Sequence, residues 1–186
     1  MLKAAFRAIA RLGPRRLTLA DVAKEAGVSA AALVQRFGSK RALLLAAAKD
    51  VATGADYIFP DLRARHRSPL AALLGLAECM AFLGPTPEAV ANNLAFLQLD
   101  LHDPEFQRHA LAGSEGTQAG IRALVKDAIR AGELVRCDAG RLASALQAAL
   151  NGSLRGWAVH RHGELAPWLR RDLRTVLEPY RRRRPT

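Results

Sequence analysis

Residues 18–37 read TLADVAKEAGVSAAALVQRF, and the first half of this stretch predicts a short helix with both ends marked. Thr18 is a good helix N-cap, and Asp21 three positions later can hydrogen-bond back to it and favours the helix start. Gly27 lies where the helix should end, because a residue without Cβ adopts the left-handed conformation at little cost. The predicted helix therefore begins just after Thr18 and ends just before Gly27.

The second half of the stretch predicts another short helix directly after the turn. Val28 is the apolar residue of the turn, and Ser29 can cap the helix that follows. Leu33 and Phe37 lie four positions apart, on one face of that helix. Two short helices joined by a glycine-bearing turn form a helix-turn-helix, which places its second helix in the major groove of DNA. The sequence therefore indicates a DNA-binding protein.

The residues that follow extend the pattern beyond a generic helix-turn-helix. Phe37 continues into Gly38, Ser39 and Lys40, and a pair of leucines comes shortly after at positions 43 and 44. Together with the two helices and their turn, this segment resembles the DNA-binding region of TetR/AcrR-family transcriptional regulators over about residues 2–50. Beyond that region the resemblance is one of overall helical organisation.

The rest of the chain also reads as helical, because it is rich in Ala, Leu and Arg and has few runs of β-branched residues. A basic linker is predicted over residues 60–69, and three glycines between Ala112 and Gly120 predict a kink in the longest helix. The resemblance implies an all-α fold in which residues 1–48 form a three-helix helix-turn-helix DNA-binding domain and residues 49–186 form a helical ligand-binding and dimerisation domain. The predicted helices, about nine in all, cover approximately residues 2–12, 19–26, 30–37, 40–59, 68–83, 88–101, 103–131, 138–160 and 164–181.

The charge of the chain is compatible with a polyanionic partner. Lys and Arg outnumber Asp and Glu by 28 to 17, which gives a formal net charge of +11 and a pI near 10.9. A solvated basic surface would explain this excess as well, so the charge supports nucleic-acid binding only in combination with the motif. Half of the residues are hydrophobic, which is enough for a substantial core and argues against global disorder.

Cysteine usage and hydropathy indicate the compartment. Cys79 and Cys137 are the only cysteines, and the His and Cys residues do not form a cluster with metal-ligand spacing. The N-terminal segment is a basic amphipathic helix rather than a secretory signal, and no apolar run has the length needed to cross a bilayer. We therefore expect a cytoplasmic protein that needs no metal or other cofactor and does not bind membranes.

The resemblance implies a set of DNA contacts around the second helix of the motif. Ala30, Ala31 and Gln35 match positions that face base edges, where the glutamine suits adenine and the alanine methyl groups suit thymine methyl groups. Helix propensity alone would also explain the alanines. The family commonly has Tyr at position 34 and His at position 36. Val34 therefore removes a usual phosphate contact of the tyrosine hydroxyl, and Arg36 could supply charge instead. The predicted DNA-binding residues are Thr18, Ser29, Ala30, Ala31, Val34, Gln35, Arg36 and Lys40, of which Thr18, Ser29 and Lys40 match phosphate-contacting positions.

The two last predicted helices carry apolar stripes that suit pairing with a second copy of the chain. Small residues beside the first stripe would let another helix approach closely. Family members pair these helices in a four-helix interface, although burial within one chain would explain part of each stripe. We expect a homodimer on a palindromic operator, because one short recognition helix reads few base pairs. The predicted interface consists of Leu146, Ala149, Leu150, Gly152, Leu154, Gly156, Leu169, Leu173, Val176 and Leu177.

By the same resemblance, the helices between about residues 68 and 131 should enclose a pocket for a small effector. Met and aromatic residues at helical spacing are more often ordinary core, so the lining is not fixed by the sequence. Its mostly apolar neighbourhood favours a hydrophobic or aromatic ligand. A ligand that favours a wider separation of the two recognition helices would lower the affinity for DNA. The candidate lining residues are Met80, Phe82, Phe96, His102, Phe106 and Trp157.

The expected function is a ligand-responsive transcriptional regulator, with repression favoured over activation. One alternative is an all-helical enzyme, although the sequence contains neither a phosphate-binding glycine loop nor a nucleophile motif. Another alternative is a non-specific nucleic-acid or membrane-surface binder that acts through the N-terminal helix and the basic run Arg181–Arg184. A solvated tail explains that run equally simply.

Overall fold

The computed structural model describes residues 1–81, 84–101 and 103–182, apart from the side chains of residues 100 and 101. This part of the chain is all-α, as predicted. It contains ten α-helices and two short 3-10 helices. The α-helices are α1 (Leu2–Arg16), α2 (Leu19–Ala26), α3 (Ala30–Phe37), α4 (Lys40–Ala52), α5 (Ala55–Arg65), α6 (Pro69–Ala81), α7 (Pro87–Leu97), α8 (Pro104–Arg130), α9 (Ala139–His160) and α10 (Leu165–Leu177), and the 3-10 helices are Gln98–Leu101 and Glu178–Tyr180.

The described residues divide into two compact units. The first contains residues 1–53 and 84–113, and the second contains residues 54–81 and 114–182. The division falls inside α8, so that α7 and the first part of α8 belong with the four N-terminal helices. The first unit is therefore larger than the helix-turn-helix and its neighbouring helices.

The core of the first unit joins α1–α4 to α7 and the start of α8. Helix α1 packs along α7, and two aromatic side chains from beyond residue 90 complete the core. Some larger apolar side chains of these helices are fully buried, and others pack against them partly exposed. The fully buried ones include Ile9, Val22, Leu33 and Leu43, the partly buried ones include Phe6, Leu19, Val28 and Phe37, and the distant aromatics are Phe96 and Phe106.

The second unit is a helical bundle in which α10 packs against α6 and α9, and α5 packs against α6. Residues 180–182 are hydrogen-bonded to the loop between α8 and α9, where the Val135 N–H donates to the carbonyl of Tyr180 at 2.8 Å. The N–H of Arg182 donates to the carbonyl of Glu133 at 3.2 Å. The larger buried side chains include Phe59, Leu62, Leu73, Leu76, Ile121, Leu124, Leu134, Leu146, Trp157, Leu169 and Leu173.

The sequence prediction was wrong around Pro60. A single helix was expected over residues 40–59 with a basic linker after it, but α4 ends at Ala52 and α5 continues through Pro60 to Arg65. Proline removes one helical hydrogen bond. Phe59 and Leu62 flank it and are 4% and 2% exposed, so the burial of two large side chains offsets that loss. The division between α4 and α5 also accounts for the tenth helix.

The glycines do not break α8, since this helix runs unbroken from Pro104 to Arg130. Its glycines serve close packing instead. A Cβ on Gly113 would lie 3.2 Å from Cα of Ala52, and a Cβ on Gly120 would lie 2.2 Å from the ring of Phe59. Small residues at these positions let neighbouring elements pack against the backbone of α8, and that packing offsets the low helix propensity of glycine.

Candidate nucleic-acid interface

The start of α2 has the predicted capping box. The hydroxyl of Thr18 accepts a hydrogen bond from the N–H of Asp21 at 3.1 Å, and a carboxylate oxygen of Asp21 accepts one from the N–H of Thr18 at 2.9 Å. The side-chain hydrogen bond from Thr18 is the main cause that lowers the pKa of Asp21. The carboxylate is therefore charged at neutral pH and stabilises the positive end of α2.

The turn between α2 and α3 also follows the sequence prediction. Gly27 has φ +67°, in the left-handed region, and its N–H donates to the carbonyl of Lys24 at 3.3 Å. Val28 is half-buried and its N–H donates to the carbonyl of Ala23 at 3.0 Å. The hydroxyl of Ser29 then accepts from the N–H of Ala32 at 3.1 Å and begins α3. This local hydrogen bonding fixes the orientation of α3.

Helix α3 has one buried side and one free side. Leu33 is fully buried, and Phe37 packs half-buried against the core of the first unit. The guanidinium of Arg36 lies over the ring of Phe37, 5.8 Å from its centroid. The free side presents the three predicted base-contacting residues, Ala30, Ala31 and Gln35, to solvent. Val34 and Arg36 are exposed as well.

Lys40 is half-buried, and its Nζ donates to the carbonyl of Arg15 at 2.7 Å. This contact stabilises the last turn of α1, because a cation beside the carbonyl end of a helix is favourable. An ammonium has three N–H donors, so two remain for other partners. Lys40 thus connects α4 to α1 in addition to the phosphate contact predicted for it.

Two exposed cations that the sequence analysis did not select lie next to the motif. Arg15 and Arg16 form the basic last turn of α1 and directly precede Leu17 and Thr18, which lead into α2. Their position next to the N-cap of α2 was the signal that could have identified them. Helix termini and neighbouring Arg residues commonly contact phosphate.

The first 53 residues carry ten Lys and Arg residues and only three Asp and Glu residues. Two of the three acids have local partners. Asp21 closes the capping box, and Glu25 accepts a hydrogen bond from Nε of Arg7 at 2.7 Å, which lowers the pKa of Glu25. The first 53 residues are thus strongly basic around the helix-turn-helix, which suits a phosphate backbone.

Arg41 connects α4 to the start of α8. Its Nη2 lies 2.8 Å from a carboxylate oxygen of Asp103 and 2.8 Å from one of Glu105. The hydrogen bond from Arg41 is the main cause that lowers the pKa of Asp103, and the same pair raises the pKa of Arg41. The guanidinium also lies 5.8 Å from the ring centroid of Phe106. These contacts join the helix that follows α3 to a helix that continues into the second unit.

Some of the predicted dimer residues are buried within the protomer, and others are half-buried or exposed. The predicted leucines of α9 and α10 are all buried within the second unit, at most 3% exposed, so their side chains are already covered. Gly152 is exposed, and a Cβ built on it would meet no atom within 4 Å. Ala149, Gly156 and Val176 are half-buried. Other exposed positions on the outer side of α9 are Ala145, Ala148, Arg155 and Val159.

The candidate pocket residues do not belong to one unit. Phe96 and Phe106 are core residues of the first unit, whereas half-buried Met80 and buried Trp157 belong to the second. The indole N–H of Trp157 donates to the carbonyl of Gly163 at 3.1 Å. Phe82 and His102 lie outside the described residues.

The described part of the chain has surface cavities in both units. One, of about 430 Å³, lies between α8 and α9 and is lined mainly by polar side chains such as Glu115, Gln118 and Arg122. The other, of about 340 Å³, lies beside Arg41 and is lined by Leu44, Leu99 and Phe106 among others.

Within the described ranges, no three His, Cys, Asp or Glu residues are grouped closely enough to hold a metal ion. None of the helices in the same part of the chain combines the length and the apolarity needed to span a bilayer.

Comparison with known proteins identifies the segment that contains the helix-turn-helix. Residues 1–47 match the model of the family described as bacterial regulatory proteins, tetR family. No match was found among curated protein sequences.

Several solved structures share the fold over almost the whole chain. A protein from Rhodococcus sp. assigned to the TetR family of transcriptional regulators is 24% identical, covers 97% of this chain and 96% of its own, and has a TM-score of 0.71. A TetR-family regulator from Agrobacterium tumefaciens is 18% identical, with coverage of 97% and 95% and a TM-score of 0.75. The regulator FadR from Bacillus subtilis, in complex with stearoyl-CoA, is 15% identical, with coverage of 94% and 95% and a TM-score of 0.73.

Proposed function

We propose that this chain is a DNA-binding transcriptional regulator of the TetR family, and that it acts as a homodimeric repressor that a small molecule releases from a palindromic operator. The observation that carries the proposal is the free side of α3, where the predicted base-contacting residues are exposed together on a helix with a capped start. In a helix-turn-helix protein this side enters the major groove.

The proposed DNA contacts follow from the side chains on and around α3. Gln35 has the paired donor and acceptor that suit N6 and N7 of adenine. Thr18, Ser29 and Lys40 contact phosphates, together with the two N-terminal N–H groups of α3 that the cap leaves free. Arg36 adds positive charge at the end of the same helix. Residues 1–48 form the DNA-binding domain in this proposal, and residues 49–186 the ligand-binding and dimerisation domain.

The proposed dimer uses the outer side of α9. Its exposed small residues would let a second helix approach closely, and Gly152 has open space where a side chain would be. The buried leucines of α9 and α10 support this surface from inside the protomer. Two copies related by a two-fold axis would place two α3 helices on successive major grooves, about one DNA turn apart.

The proposed effector is hydrophobic or aromatic and binds in the second unit. FadR, which shares the fold, binds stearoyl-CoA, an acyl compound with a long apolar chain. Helix α8 continues from the second unit to the ion pairs between Arg41 and two carboxylates near α4. A ligand that shifts α8 would therefore change the position of α4 and lower DNA affinity through its differential affinity for the two states.

We also propose that the protein acts in the cytoplasm and has no catalytic activity, since the arrangement of its residues is explained by DNA recognition. The enzyme alternative predicts that the purified protein converts a small molecule and does not bind DNA. Deletion of Arg181–Arg184 tests the surface-binder alternative: it should abolish binding to membranes or to non-specific DNA, yet leave operator selectivity intact.

The experiment that tests the proposal is selection of bound duplexes from a random DNA pool by the purified protein at near-physiological salt. We expect a palindromic consensus with half-sites about one turn apart. That site then becomes the assay for effectors, scored as release of a labelled duplex. Recovery of no consensus, with binding that disappears as salt rises, would mean that charge alone drives the interaction and would contradict the proposal.

A further inference from the structure

A large apolar side chain is exposed at the centre of the recognition surface. Val34 is 47% exposed in the middle of α3, although α3 has a buried side on which Leu33 is completely covered. Exposure of a valine leaves apolar area in water that burial would remove, and a partner that covers it gains that free energy. The partner for this side of α3 is the major groove of DNA.

The neighbours of Val34 make a continuous apolar surface. Ala30 and Ala31 lie four and three positions earlier, on the same side of α3, and both are exposed. Three side chains therefore present only methyl groups towards the groove. Arg36, the nearest cation on the helix, has its guanidinium over the ring of Phe37. Gln35 is then the side chain on this side of α3 that can hydrogen-bond to base edges.

The major groove offers only one kind of apolar group to such a surface. The base edges in the major groove carry hydrogen-bond donors and acceptors, and their one apolar group is the 5-methyl group of thymine. A valine can form no hydrogen bond to a phosphate or a base edge, so it cannot replace a polar contact. We propose that Val34 recognises the 5-methyl group of a thymine in each half-site, with Ala30 and Ala31 extending the contact. This assignment rests on the proposed function.

The test uses the operator recovered from the random pool. Each thymine of the half-site is replaced symmetrically by uracil, which keeps the base pairing and lacks only the methyl group. Affinity is measured for the wild-type protein and for Val34→Ala. Val51→Ala is the matched control, because Val51 is 46% exposed on α4 of the same unit. Both valines are exposed, so neither substitution should affect folding, which thermal unfolding verifies.

We expect one thymine position at which uracil weakens wild-type binding by about fourfold for each half-site, or about fifteenfold for both, as the loss of one buried methyl group predicts. Val34→Ala should bind the thymine operator more weakly than wild type and should lose most of the discrimination at that position alone. Val51→Ala should retain the full discrimination.

Two results would overturn the assignment and leave the proposed function intact. One is a palindromic consensus without thymine in its half-sites. The other is an effect of uracil that is the same size in wild type and Val34→Ala at every position. The absence of any consensus contradicts the proposed function itself, and the assignment with it.

Discussion

Asn92 supplies the hydrogen bond that Pro14 cannot supply to the carbonyl of Ala10. In an uninterrupted helix the N–H of residue 14 would donate to that carbonyl, but proline has no N–H. Nδ2 of Asn92, on α7, donates to it instead at 2.9 Å. The helical conformation of α1 is interrupted at Gly13, which has φ +72°. A Cβ at this position would lie 2.8 Å from Oδ1 of Asn92. Helix α7 therefore fixes the bend from which α1 leads into the helix-turn-helix.

Replacement of Asn92 tests this relationship. Asn92→Ala should destabilise the protein by about 1 kcal/mol, because the partly buried carbonyl of Ala10 loses its donor. Asn92→Asp should cost more, since it places a carboxylate oxygen against that carbonyl. Urea unfolding measures both, with the exposed Gln107→Ala as the control. Equal stability of all three variants would show that the hydrogen bond has no role in fixing the bend.

Lys40→Ala should weaken DNA binding about equally for all sequences and reduce the slope of log affinity against log salt by ~1 unit, because one phosphate contact is lost. Lys49→Ala is the matched control, since Lys49 is exposed at the other end of the same helix. It should leave the slope unchanged. Titrations of operator and random duplexes at several salt concentrations give both values. A change in sequence preference without a change in slope would contradict the phosphate role of Lys40.

The ion pair between Arg41 and Asp103 should make stability sensitive to acid. The pKa of Asp103 lies below its usual value of 3.8 because Arg41 hydrogen-bonds the charged carboxylate. The pair therefore contributes to stability above pH 3.8 and loses that contribution as the pH falls through the lowered pKa. Between pH 5 and pH 3, wild type should lose stability more steeply than Asp103→Asn in urea unfolding. Parallel curves would show that the pair does not contribute.

Gly152→Glu should block dimer formation and leave the protomer folded. The position is open within the chain, and glutamate has a higher helix propensity than glycine, so the helix itself should not suffer. A charged side chain between two closely packed helices would prevent their approach. Sedimentation velocity should show loss of the dimer and titration should show a lower operator affinity. Ala91→Glu, at an exposed position of α7, should change neither. A dimeric Gly152→Glu variant would place the interface elsewhere.

The helix-turn-helix could be predicted from the sequence because its determinants are local. Thr18 and Asp21 cap each other three residues apart, and Gly27 and Ser29 act within the following turn. No distant part of the chain is needed to produce these conformations. The structure accordingly confirms the capping box, the left-handed glycine and the cap of α3.

Positions whose role depends on distant partners could not be predicted in the same way. The periodicity of leucines such as Leu146 and Leu169 identifies an apolar side but not the element that covers it, and here the same protomer does. The packing role of Gly120 could not be predicted, because the ring of Phe59 that packs on it comes from another helix. Phe96 was assigned to a pocket because the sequence does not show that it packs into the core of α1–α4. Arg15 was missed because it lies outside the motif itself, although its position close to the N-cap of α2 could have identified it.

The most direct test of the central claim, that two copies of α3 read one duplex together, is the affinity for the selected operator after a change in half-site spacing. Inserting about five base pairs, half a turn of DNA, turns the second half-site to the opposite face of the duplex. We expect the affinity to fall to that of a duplex with a single half-site, and to recover partly when a full turn is inserted. Equal affinity at all three spacings would contradict the dimeric reader and show that each protomer binds alone.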